Sequence, residues 1–170
     1  MDLIVREAEI WQAEEIYEVL LRCSDETDFL ACGSSERKET MPIEKFREFI
    51  ASGTATNNKF FVCLDGERVV GMLGMHEEAR ERFKHRVSLG MNILKGHWGQ
   101  GGGKLLLEAA IDHFNSMADL TKLELEVRRD NEGAIALYRK LGFEIEGELK
   151  NHFLVDSNYY SAYRMAIIKK

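Results

Sequence analysis

Apolar positions in this chain switch between two periods, and each switch marks an element. Leu3–Ala8 reads as a short strand. Trp11, Ile16, Val19, Leu20 and Cys23 recur at helical spacing, which predicts a helix over 11–23. Residues 24–41 mix Ser, Asp, Glu, Gly and Thr and read as a loop. Pro42 suits the first turn of a helix over 42–51, with Ile43, Phe46, Phe49 and Ile50 apolar. Phe60–Leu64 and Arg68–His76 flank Asp65-Gly66, a hairpin signal, and Val87–Leu94 follows as a strand. After a glycine-rich turn, Leu106, Ala109, Ala110, His113, Phe114 and Met117 line one side of a helix over 103–117. Leu123, Leu125 and Val127 alternate with charged residues, as a strand requires. Residues 131–141 form a helix stopped by Gly142. Phe143, Ile145, Gly147 and Leu149 alternate again, and Tyr159–Ile168 closes the chain as a strand. The order β-α-α-β-β-β-α-β-α-β-β is that of a mixed α/β domain, with hairpins first and a β-α-β crossover later.

The length of 170 residues suits one domain over 1–170, with no internal repeat and no low-complexity segment. Three cysteines, Cys23, Cys32 and Cys63, form no C-x-x-C pair, and no histidine spacing completes a zinc set. A disulfide scaffold and a metal site are therefore not expected. The first ten residues lack an apolar signal core, and no apolar run nears the roughly 18 residues of a membrane span. The expected setting is soluble, reducing and cytoplasmic. The net charge of −6 disfavours nucleic acid and acidic membranes as partners. Its distribution is uneven. Residues 1–50 hold 13 acids and 6 bases, whereas residues 80–107 hold six bases (Arg80, Arg82, Lys84, Arg86, Lys95 and Lys104) and one acid, Glu81. The basic stretch contains the glycine turn, so an anion is expected there.

That turn, Trp98-Gly99-Gln100-Gly101-Gly102-Gly103-Lys104, joins a strand to a helix whose first N–H groups and dipole favour an anion. It is not a P-loop: Trp98 stands where the first glycine is needed, and Leu105 where Ser or Thr follows the lysine. Nor is it G-x-G-x-x-G, because Lys104 and Leu106 occupy the positions of the third glycine. Nucleotide hydrolysis and hydride transfer are poor readings. Farther on comes Asn131-Glu132-Gly133-Ala134-Ile135-Ala136-Leu137-Tyr138-Arg139-Lys140-Leu141-Gly142-Phe143. By themselves, Asn131 reads as a helix N-cap and Tyr138 as a half-buried helix tyrosine on the same face.

Together the two segments resemble the GNAT superfamily of N-acetyltransferases. The turn matches Q/R-x-x-G-x-G/A at Gly101 and Gly103, with Trp98 departing from Gln or Arg. The second stretch matches N-x-x-A-x-x-x-Y-x-x-x-G-F. The resemblance implies a three-layer α/β (α+β) fold: a mixed, mostly antiparallel seven-stranded sheet with four helices, splayed at the central strands. It implies acetyl-CoA as co-substrate, with no metal, and direct attack by an amine. Pyrophosphate would lie on Trp98, Gly99, Gln100, Gly101, Gly102, Gly103 and Lys104. Pantetheine would run along Met91, Asn92 and Ile93, on a strand that leaves its neighbour at a bulge, with an N–H near Ile93 polarising the acetyl carbonyl. Asn131 would touch the cofactor, and Tyr138 would protonate the departing thiolate.

Relatives often place a Glu on the strand before the turn as base, but Val87–Met91 has no acid. His76, Glu77, His85 and His152 flank the site and read as solvated surface, and Cys63 as core. Asp25, Glu26, Asp28 and Glu36 form either an acidic rim for a cationic amine or an ordinary solvated loop. Residues 141–149 are similar to spermidine acetyltransferases, and the Arg80–Arg86 stretch to amino-acid acetyltransferases. Ribosomal-protein N-terminal acetyltransferases share both, so polyamine, amino acid and protein N-terminus stay open as acceptors. A non-catalytic acyl-CoA sensor on the same fold is the alternative. Dimers are common among such enzymes, although no residue here requires one.

Overall fold

The computed structural model describes residues 2–53 and 57–170. Strands β1 (Leu3–Glu7), β2 (Lys59–Asp65), β3 (Arg68–Glu77), β4 (Arg86–Ile93), β5 (Lys122–Arg128), β6 (Glu144–Val155) and β7 (Asn158–Ile168) form one sheet in the order β1-β2-β3-β4-β5-β7-β6. Five helices accompany it: α1 (Ala13–Glu26), α2 (Ser34–Thr40), α3 (Ile43–Ser52), α4 (Gly102–Ser116) and α5 (Glu132–Lys140). The predicted strands and hairpins are present, and Asp65 pairs with Arg68 across the expected turn, where Gly66 takes φ +62°.

Three expectations need correction. The segment read as a loop over 24–41 contains the last turn of α1 and all of α2, so the described residues hold five α-helices rather than four. Helix α2, SSERKET, buries none of its residues, which is why it shows no apolar periodicity. Strand β6 runs past Leu149, where the alternation read from sequence ends, to Val155, so His152 lies within it.

Alternation explains the layering. Phe60, Val62 and Leu64 of β2 turn toward α1 and α3, where they pack with Ile16, Leu20 and Phe46. The other face carries Leu73, Leu123 and Leu125 against Leu106, Leu107 and Phe114 of α4 and Ile135 of α5. The sheet thus lies between two helical layers, each closing an apolar core.

The site is made by one weak seam in this sheet. Strands β4 and β5 are the parallel pair, and they stay in register only from Arg86↔Lys122 to Ser88↔Glu124. Beyond Ser88, β4 follows β3 and β5 follows β7, and a cleft opens between them. The expected bulge is absent from this edge: the β3–β4 register runs unbroken from Gly71↔Ile93 to Glu77↔Val87. Divergence of the two strands opens the cleft without an inserted residue.

Candidate active site

The backbone of β4 can be assigned side by side from one bond. Leu94 N–H donates to Val70 O at 3.0 Å, across the Gly71↔Ile93 pair. In an antiparallel ladder this makes the even positions face β3 and the odd ones face away. The peptide groups of Met91 and Ile93 therefore look into the cleft that β5 has vacated. An edge of unpaired N–H and C=O groups is a ready template for an extended chain. One of these groups is already used: Trp98 Nε1 donates to Ile93 O at 2.8 Å.

The glycine turn follows. Gly99 and Gly101 adopt φ of +73° and +93°, a region that favours glycine. Gly102 and Gly103 start α4 and are buried against the sheet. A Cβ on Gly102 would lie 3.1 Å from Cys63 Sγ, and one on Gly103 3.2 Å from Leu137 Cδ2. Leu105 N–H closes the first bond of the helix on Gly101 O, at 3.1 Å. Among the described residues, no N–H of residues 99–104 donates to a backbone carbonyl. Six successive N–H groups at a helix N-terminus suit an anion. The Gln100 side chain turns back on the loop, its Nε2 donating to Gly96 O at 2.9 Å. Lys104 is exposed and lies 3.4 Å from Glu108.

Asn131 caps α5, its Oδ1 accepting the Ala134 N–H at 3.4 Å. Tyr138, two turns later, is buried edge-on against Phe143 with ring centroids 5.7 Å apart. Burial pushes its phenol up to about 12.

Two cavities meet on these residues. One, of about 480 Å³, is lined by the turn from Trp98 to Lys104 except Gln100, and by Ile93, Ala134 and Leu137. The other, of about 510 Å³, lies among residues of α1, α2, α3 and β5. Phe29, Leu30, Met91, Asn92, Asn131 and Tyr138 line both. The predicted residues thus converge: the turn and β4 wall one chamber, while Tyr138 and Asn131 stand at its junction with the second.

The second chamber holds residues the sequence reading passed over. Alternation along β5 sends Leu125 and Val127 into the core and Glu124, Glu126 and Arg128 toward this cavity. Glu124 pairs with Arg86 at 3.0 Å. Glu126 binds Arg164 and, at 2.7 Å, His152 Nε2. Desolvation works against its ionisation, but these two partners outweigh it and hold the carboxyl below its ordinary range. Arg128 is only 3% exposed. It grips Asp130 at 2.6 Å and Asp28 at 3.2 Å, and its guanidinium lies 3.7 Å above the Tyr160 ring. Of the four flanking groups considered from sequence, only His76 lines the cavity. It is stacked on Phe49 at 4.6 Å, and desolvation on that side lowers its pKa.

The fold sorts the two charged stretches. Three of the four acids over residues 25–36 are engaged by the protein: Asp25 accepts the Ser34 N–H, Glu26 accepts the Lys95 N–H at 2.7 Å, and Asp28 binds Arg128. All three line a hollow together with Glu36. The basic stretch is divided. Arg80, Lys84 and Arg86 pair with Glu78, Glu81 and Glu124 at the start of β4. The eight residues of that strand separate them by about 25 Å from the turn, which leaves Lys95 and Lys104 as the bases beside its N–H groups. Cys63 is buried core, as expected.

Among the described residues, no helix is long and apolar enough to cross a membrane. The sequence model of the Acetyltransferase (GNAT) family matches residues 13–143. A spermidine N(1)-acetyltransferase of Escherichia coli K12 is 34% identical over 115 residues, 67% of this chain and 60% of that protein. An L-amino acid N-acetyltransferase of the same strain is 35% identical over 107 residues, 63% of this chain and 65% of its own length. The chain therefore spans less than two thirds of either relative. A GNAT-family acetyltransferase from Streptococcus pneumoniae superposes with a TM-score of 0.91 at 28% identity, covering 99% of this chain and all of the other.

Proposed function

The chain belongs to the GNAT family, and from this premise we propose that residues 1–170 act as one N-acetyltransferase domain that moves acetyl from acetyl-CoA to a primary amine. The observation that carries the reading is the meeting of two chambers at Met91, Asn92, Asn131 and Tyr138. One chamber ends in the N–H groups of the glycine turn and suits a long anionic cofactor. The other admits the acceptor, so both reactants can be held at once.

The unpaired edge of β4 supports pantetheine binding along Met91–Ile93. The Ile93 N–H donates to the acetyl oxygen, where negative charge grows as the carbonyl becomes tetrahedral. Asn131, its Oδ1 engaged in the cap, offers its Nδ2 to the cofactor. The acceptor must lose a proton before it attacks, because an alkylamine is protonated at neutral pH. The C–N bond then forms and the C–S bond breaks. Overall an ammonium and a thioester give an amide, a thiol and one released proton.

Tyr138 stands where the sulfur leaves. With a pKa of about 12, its phenol is neutral and loaded at working pH. It is also a weaker acid than a thiol, whose pKa is about 8.5. Its contribution is a hydrogen bond to the thiolate as charge develops, with the proton passing over as the bond breaks; the second proton shed by the attacking nitrogen restores the phenol, and the first is the one released. The test is incubation with acetyl-CoA and a panel of polyamines, amino acids and peptide N-termini. The reading expects free thiol and an acceptor heavier by one acetyl group. Tight cofactor binding with no thiol across the panel would instead identify an acyl-CoA sensor.

A further inference from the structure

The charges around the acceptor chamber do not cancel evenly. Arg128 is taken up by Asp28 and Asp130, Arg164 by Glu126, and Glu124 by Arg86 and Lys122. One cation is left over. Arg37, on α2, lines the chamber and has no carboxylate partner among the described residues. It is nevertheless positioned: its Nε donates to Ser24 Oγ at 3.1 Å, and that buried hydroxyl donates to Leu20 O at 3.0 Å. Holding Nε leaves the two Nη groups of the fork for a ligand. A guanidinium fork matches a carboxylate with two parallel bonds, and the match strengthens away from bulk water.

The neighbouring wall is apolar, formed by Met41, Phe46, Phe49, Phe60 and Met72. A polyamine would bring several positive charges beside Arg37, and it would find Glu124 and Glu126 already paired. We propose that the acceptor is an amine that carries a carboxylate and an apolar side chain, bound with its carboxylate on Arg37 and its side chain on the Met41–Phe60 wall. This rests on the acetyl-transfer reading and narrows it to amino-acid-like acceptors. Ser24 is a positioning residue in this arrangement, since it acts through Arg37.

The test compares L-leucine, L-leucinamide and spermidine by thiol release and, separately, by calorimetric binding to the CoA-loaded protein. Leucinamide keeps the amine and the apolar group but lacks the carboxylate. The expected kcat/KM for leucine exceeds both others by at least about tenfold, the scale of a charge-assisted pair. Arg37→Gln should raise the leucine KM by about tenfold with little change in kcat, and leave leucinamide unaffected. Arg37→Lys should recover part of the loss, and Ser24→Ala should raise the leucine KM without abolishing turnover. Equal use of leucine and leucinamide, preference for spermidine, or a loss in Arg37→Gln that is the same for acid and amide would overturn the assignment. Arg37-dependent leucine binding with no thiol from any amine would retain the carboxylate site and remove the acetyl-transfer reading. Thiol release with no carboxylate preference would do the reverse.

Discussion

Trp98 Nε1 lies 2.8 Å from the carbonyl oxygen of Ile93, so a side chain ties the glycine turn to the end of the cleft strand. The position where relatives carry Gln or Arg is thus used to fasten the turn to β4. Because this bond occupies Ile93 O, only the N–H of that residue faces the cofactor chamber unengaged. Trp98→Phe keeps most of the ring and removes the donor. A neutral hydrogen bond contributes about 1 kcal/mol, so KM for acetyl-CoA should rise about fivefold while kcat holds. Steady-state kinetics with acetyl-CoA varied at saturating acceptor checks this.

Gly101 takes φ +93° at the residue before α4, with open space where a Cβ would stand. Alanine there is disfavoured by backbone conformation alone, at about 1–2 kcal/mol. Gly101→Ala should lower stability by that amount in urea unfolding and weaken acetyl-CoA binding as the N–H groups lose alignment. Gly96→Ala is the control. Its site is equally open and its φ is ordinary, so its effect should stay within about 0.5 kcal/mol.

Arg128 joins β5 to the segment between α1 and α2 through Asp28, a hundred residues away. Both carboxylate partners are about half exposed, so the loss on Arg128→Met should fall below the 3–5 kcal/mol of a fully buried pair, near about 2 kcal/mol. Limited proteolysis should then cut within residues 27–33, where the intact protein resists. A variant that melts and resists protease like wild type would show that Arg128 does not hold this segment.

Much of this arrangement was legible in the sequence because it depends on local rules. Gly101 and Gly103 mark a turn that other residues cannot make without strain or crowding, and Asn131 with Tyr138 seven residues on marks a cap and one helix face. What stayed hidden depends on distant partners. Alternation in β5 placed Glu124, Glu126 and Arg128 on a polar face, but only the loss of pairing after Ser88 makes that face a cavity wall. Arg128 has the sequence appearance of a surface charge, and its burial follows from Asp28 and Tyr160 meeting over it. Helix α2, polar throughout, gave no periodic signal, so the placement of Arg37 was out of reach.

The buried phenol also sets a pH expectation. Tyr138 ionises at about 12 in the folded protein against 10.0 when unperturbed. Below about 10 both states keep it neutral and stability is unaffected. As pH rises from about 10 to about 12 the unfolded chain ionises first, so stability falls. A profile of kcat from pH about 7 to about 10 should therefore show no descending limb from this residue. A descending limb with its midpoint below 10 that disappears in Tyr138→Phe would refute the placement of the phenol.

The central claim is that acetyl transfer occurs where the two chambers meet, with Tyr138 serving the leaving sulfur. The most direct measurement is the rate of thiol release by Tyr138→Phe beside wild type, with acetyl-CoA affinity measured on both. The account predicts kcat lower by about a hundredfold, the lower range for a positioned acid, with acetyl-CoA binding unchanged within about twofold. Equal turnover in the two proteins would contradict it.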